Sequence, residues 1–210
     1  RCGELLVQIG EPALRQLSTT LLEGGVQARV ASASVIARIG TQAAVEPLAL
    51  AMADDDPRVR YAAASGLEML GAVAPLVQSI EDAHSGVRER VTRALVSLGE
   101  PALGELIAAH ASPEEAPTPA LLEVLRAFGD PATEHLERAL TQADGDGRAR
   151  AIRCLGALGY TRGLSTVTGL LADPDYRVRQ AAGEVLVAFG RSAVKPLVDS
   201  LVSDRSDLHE

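Results

Sequence analysis

Four histidines, two cysteines and a recurring arginine are the side chains of this 210-residue chain best equipped for chemistry. His84 falls in a turn, His110 ends a helical stretch where the helix dipole favours a cation, and His209 lies near the terminus. His135 follows Glu134. A metal centre needs several convergent ligands, and these four are scattered, so no metal and no cofactor is expected. Nucleophile and phosphate motifs are missing: there is no Gly-x-Ser-x-Gly elbow, no Gly-x-x-x-x-Gly-Lys loop and no dinucleotide fingerprint. The arginines are more regular. Arg29, Arg60, Arg88, Arg148 and Arg179 recur in register, with Glu23, Asp54, Asp82 and Asp173 six residues before four of them. A row of guanidinium forks suits phosphate or carboxylate ligands. Because the acid recurs with the arginine, the row is expected to be a structural ladder tying each helix start to acids in the adjoining turns.

That register belongs to a repeat. A bulky apolar residue followed by glycine appears at Gly10, Gly40, Gly71, Gly99, Gly129, Gly159 and Gly190, at spacings of 28 to 31 residues. Four residues before each glycine stands Leu6, Ile36, Leu67, Leu95, Leu125, Leu155 or Leu186. Apolar or small residues at one, four, five and eight before the glycine make a stripe of helical period. The glycine then marks the helix end, where the left-handed conformation is needed. A second helix follows, opened in three repeats by Pro12, Pro101 or Pro131, whose missing N–H has no helical partner in the first turn. One such hairpin cannot bury its own apolar face, so neighbours must stack.

The expected fold is therefore all-α: a right-handed α-solenoid of about seven stacked two-helix repeats of about 30 residues. Its detail resembles HEAT repeats, and more narrowly the short HEAT-like repeats of phycobilisome-lyase type. The stretches carrying that likeness are Asp56-Pro57-Arg58-Val59-Arg60-Tyr61-Ala62-Ala63, Gly86-Val87-Arg88 and Asp175-Tyr176-Arg177-Val178-Arg179. The resemblance implies one array over 1–210, with repeats near 1–23, 24–54, 55–82, 83–112, 113–142, 143–173 and 174–204 and a polar tail at 205–210. It also implies two roles besides scaffolding: a subunit of a bilin lyase or similar cofactor-handling complex, and a DNA-binding, glycosylase-like HEAT protein. HEAT-like hydroxylases hold iron through repeated His-Glu pairs, but here that dipeptide occurs at His209-Glu210 without a second.

Composition trims these readings. The chain is 47% apolar, carries no Trp and two Phe, and has a formal charge of −8. Its core must be aliphatic, and the charge opposes nucleic acid and anionic membrane as partners. No apolar run reaches the roughly 20 residues of a membrane span, so no membrane insertion is expected. Cys154 sits in a column shared with Gly66, Ala94, Val124 and Val185 and is expected to be a buried, inert thiol. Cys2 is placed on a core-facing column too, five repeats away and out of disulfide reach. Two free thiols fit a reducing, cytoplasmic setting.

The remaining reading is a non-catalytic scaffold that binds another protein, a helix or peptide, on the concave face of its second helices. Taking Leu17, Leu48, Leu76, Leu106, Leu136, Val167 and Leu197 as the buried column, positions two before and two after face outward. The middle of that row, Ala74, Gln78, Gly104, Ala108, Glu134 and Arg138, is the candidate partner site. Repeat five breaks the pattern: Thr118 replaces the arginine, Ser112 the acid, and Pro113, Pro117 and Pro119 crowd the helix entrance. Its first helix should start late, near Thr118, leaving a hinge or docking elbow. Arg1 and Cys2 fall inside a helix, so either the solenoid continues upstream of Arg1 or that face meets a partner.

Overall fold

The computed structural model describes residues 1–206. His209 and the end of the expected tail lie outside the described residues, while 205 and 206 extend the last helix. No strand occurs among the described residues. First helices of the successive repeats are α1 (Cys2–Ile9), α3 (Val26–Ile39), α5 (Pro57–Met69), α7 (Ser85–Leu98), α9 (Pro119–Phe128), α11 (Gly145–Ala157) and α13 (Tyr176–Phe189). Second helices are α2 (Leu14–Glu23), α4 (Val45–Ala51), α6 (Val73–Val77), α8 (Glu100–His110), α10 (Asp130–Gln142), α12 (Leu164–Gly169) and α14 (Arg191–Ser206). Like packs on like along the chain: α1 on α3, α3 on α5 and α5 on α7, with α2 on α4. Downstream, α11 packs on α13 and α12 on α14. The fold is an α-solenoid.

The chain forms two compact units, Arg1–Glu105 and Leu106–Glu210. The first is sealed by Leu21, Ile36, Leu48, Leu67, Leu76 and Leu95, and the second by Leu106, Leu121, Leu125 and Leu136. Each buried leucine or isoleucine removes enough apolar surface from water to contribute roughly 1.5–3 kcal/mol. The aliphatic composition is thus what lets neighbouring helices lie close. Gly66 shows how close: a Cβ there would stand 2.8 Å from Leu48 Cδ1 and 2.9 Å from the Ala37 Cβ.

Among the described residues, positive φ is confined to the seven anchor glycines. Only Gly40, at φ 75° and ψ 12°, adopts the left-handed helical conformation expected of the caps described in full, and its second helix resumes two residues on. Gly10, Gly99, Gly129 and Gly190 combine φ of 51–74° with ψ between −117° and −144°. That region is closed to residues with a Cβ. The reason is geometric: at these four positions the next helical turn starts on the very next residue, and one glycine must reverse the chain alone.

First helices begin on a recurring cap. Asp56, His84 and Asp175, all fifteen residues before their glycine, accept from the backbone N–H two positions on. Asp144, in the same column, accepts from the Gly147 N–H. Such caps satisfy amides that the helix itself leaves orphaned. Repeat five does start late: Thr118 is the cap of α9, its hydroxyl accepting from the Leu121 N–H at 3.3 Å.

One expectation about packing is corrected. Cys2 is exposed, not in the core. Helix α1 rests on α3 along one flank, buries no residue fully, and leaves Leu5 and Ile9 exposed as well.

Candidate functional site

The arginine row resolves into a repeated unit. Arg60 grips Asp82, in the turn that closes its own repeat, with Nε and Nη2, at 2.7 and 2.9 Å, and its Nη1 donates to the Asp54 carbonyl at the end of the preceding repeat. Arg148 does the same with Asp173, at 2.9 Å for both bonds, and with the Ala143 carbonyl. Arg29 pairs with Asp54 and donates to the Gly24 carbonyl. Asp54, Asp82 and Asp173 therefore each serve an arginine 22 to 25 residues earlier, at the other end of the same repeat, while the arginine of the following repeat takes only the main-chain oxygen. Arg88 donates to the carbonyls of Asp82 and Ala83 and has no carboxylate partner among the described residues. Arg179 donates to those of Asp173 and Pro174. Glu23 is exposed and joins no arginine among the described residues.

These pairs are largely withdrawn from solvent, with the Arg60 and Asp82 side chains 14% and 7% exposed. Burial alone would raise the Asp82 carboxyl, yet the Arg60 fork and the His84 amide hold it below the ordinary carboxylate range. Asp173 is likewise lowered, by Arg148 and the Asp175 amide, against burial. Cys154 is fully buried, and burial pushes its thiol up to about 12. A thiol so rarely ionised is a poor nucleophile.

On the second helices, Leu17, Leu48, Leu76, Leu106, Leu136 and Val167 are buried, and Leu197 is half-buried. Of the six candidate residues, Ala74 and Gln78 lie exposed on and just after α6, and Gly104 is half-buried on α8. These belong to the first unit. Ala108, Glu134 and Arg138 are exposed in the second. Ala74 and Gln78 line a groove of about 300 Å³ between α4 and α6, together with Ala49, Met52, Ala53, Pro75 and Ser79.

The first helices carry two features that the sequence columns did not single out. One is a pair of buried arginines, each 8% exposed. Arg90 donates to Ser65 Oγ at 2.7 Å, pairs with Glu68 and stands 6.0 Å from the centre of the Tyr61 ring. Arg153 pairs with Glu184 and donates to the Pro113 carbonyl at 2.9 Å, pinning the entrance of repeat five. The signal was available: six residues before successive glycines stand Glu123, Arg153 and Glu184, an alternation of charge along one column. The other is an apolar groove of about 620 Å³ across α3, α5 and the start of α7, walled by Tyr61 and Met69.

Among the described residues, no group of three or more His, Cys, Asp or Glu is placed to hold a metal ion, and no helix is long and apolar enough to cross a membrane.

A family model described as HEAT repeats matches residues 12–95 and 133–209. No curated protein matches the chain. Among solved structures, the complex of CpcE and CpcF of phycocyanin lyase from Nostoc sp. PCC7120 is 24% identical, with 95% of this chain and 85% of that one aligned at a TM-score of 0.43. Human deoxyhypusine hydroxylase in complex with glycerol is 21% identical over 95% of this chain and 82% of that one, at 0.44. A designed armadillo repeat protein is 16% identical over 84% of this chain and all of that one, at 0.40.

Proposed function

Since this chain belongs to the HEAT-repeat family, we propose that it is a non-catalytic scaffold that binds another protein, taking a helix or peptide on the face built by its second helices. One observation carries this reading. In the middle of the outward row Ala74, Gln78 and Ala108 are exposed, and Ala49, Ala53, Ala74 and Gln78 leave a groove with room for close approach. Small side chains admit a partner backbone, and Gln78 supplies a polar anchor that fixes its orientation. In the second unit, Ala108 and Arg138 offer the same pairing of a small residue with a polar one.

A displayed library of random peptides selected against the full chain tests the proposal. Binders should lose affinity to Ala74→Trp or, if held by the second unit, to Ala108→Trp, with helical circular dichroism unchanged. Arg138→Ala alone should weaken binding a few-fold at most, because affinity is spread over several contacts. Binders indifferent to both tryptophans in folded protein would exclude this face.

A further inference from the structure

We infer that the groove on the first helices of the opening unit is a separate docking site for an acidic amphipathic helix. Its floor is apolar and close-packed, formed by Val30, Ala37, Ala62, Gly66 and Val87, all half-buried or buried. Its walls are Tyr61 and Met69, 42% and 63% exposed, two of the large apolar side chains that this unit leaves in water. The Tyr61 ring stands 6.0 Å from the guanidinium of buried Arg90, which is itself tied to Ser65 and Glu68. A cavity of this size falls in the range of binding clefts.

Charge selects the occupant. The whole chain is at −8, yet no Asp or Glu lines this groove, while Arg38, Arg58 and His84 do. Arg38 is exposed and has no ion-pair or hydrogen-bond partner among the described residues. The nearby acids are committed: Asp56 to Arg58, Asp82 to Arg60, Glu68 to Arg90 and Glu89 to Arg93. With Arg58 paired to Asp56, Arg38 is the uncompensated charge at a rim that no carboxylate lines, and a partner bearing a carboxylate is complementary to it.

The polar groups of the groove argue for a helix over a small polar ligand or an extended strand. Ser34 Oγ donates to the Val30 carbonyl, Ser65 Oγ donates to the Tyr61 carbonyl and accepts from Arg90, and His84 Nδ1 accepts from the Gly86 N–H. Both serine hydroxyl protons and His84 Nδ1 are thus engaged within the protein, which leaves Arg38 at the rim as the free donor. The backbone amides here lie within helices, so an extended peptide finds no edge to pair with. A helix arrives with its own backbone satisfied and needs only apolar residues at i, i+4 and i+7 to enter between Tyr61 and Met69.

The same display experiment decides this, using peptides of roughly 18 residues, about five helical turns. A class of binders is expected that is net acidic and carries that apolar spacing. These should lose about tenfold or more in affinity with Met69→Glu, and several-fold with Arg38→Glu, while Arg38→Lys retains binding. Rising salt should weaken them. Both side chains are exposed, so fold is checked by circular dichroism and the loss read in folded protein. The inference is overturned if no recovered peptide responds to Met69→Glu, or if the responsive ones are basic. It is also overturned if Met69 variants alter binding to anionic vesicles instead of to peptides. Because Ala74→Trp marks the other face, binders sensitive to that change alone would leave the proposed function standing and refute this site.

Discussion

The single arginine does two jobs in each rung, and its energetic weight follows from that. Removing the Arg60 side chain leaves Asp82 buried without its fork and frees the Asp54 carbonyl, so Arg60→Ala should cost about 1–3 kcal/mol in urea unfolding, with peptide binding unchanged. The carboxylates impose a direction on pH. Asp82 and Asp173 bind protons less readily in the folded state than in the unfolded one. Their contribution is therefore complete above the ordinary carboxylate range and is lost as pH falls through the lowered native values. Unfolding free energy should stay level from neutrality to about pH 5 and then decline, and Asp82→Asn should be weaker at neutral pH but decline less steeply. The cysteines offer a cleaner contrast. At about pH 8 a thiol reagent should modify exposed Cys2 in the native protein and reach Cys154 only on unfolding. Rapid native labelling of both would mean that α11 opens readily.

At the scale of the element, what was legible in the sequence depended on how local the cause is. Helix ends, the first-turn prolines and the late start at Thr118 follow from neighbouring residues, and each was readable. The pairing of Arg60 with Asp82 was not, because columns show that an arginine and an acid recur without showing which rung each acid serves. The ψ of the glycines escaped for a similar reason: it is set by how soon the next helix begins, a tertiary demand on one residue. The outward face of the second helices was read from one stripe. The Tyr61–Met69 groove draws on three helices at once, and no single column reports it. The segment before α9 lies at this scale too. Its Pro113 carbonyl is held by Arg153, and Ser112 Oγ accepts from the amides of Glu114 and Glu115. Yet it carries no helical ladder of its own, so amide exchange at 114–116 should still outpace that in α9 and α11. Arg153→Ala should speed it further. Exchange as slow as in the flanking helices would count against a hinge.

For the whole molecule, the relevant fact is that each unit is sealed by its own leucines. In a repeat protein, stability is close to a sum of local terms, and damage stays near where it is made. Leu125 is 1% exposed in the second unit, so Leu125→Ala should cost roughly 2–5 kcal/mol there. Hydrogen exchange should show protection falling in α9 to α11 while α3 and α5 keep theirs. Uniform loss across both units would indicate one cooperative block.

The one-glycine reversals also bear on how such a chain can change over generations. Where Gly10, Gly99, Gly129 or Gly190 alone joins two helices, neither an inserted residue nor another side chain is tolerated at the joint. The connections from a second helix to the next first helix range from Gly24-Gly25 to the eight residues of 111–118, and within repeats the longest is 158–163, between α11 and α12. Insertions, deletions and new sequence are thereby steered away from those four joints. Relatives of this protein should keep these four joints fixed in length and differ in the longer connections, so novelty accumulates away from the one-glycine reversals.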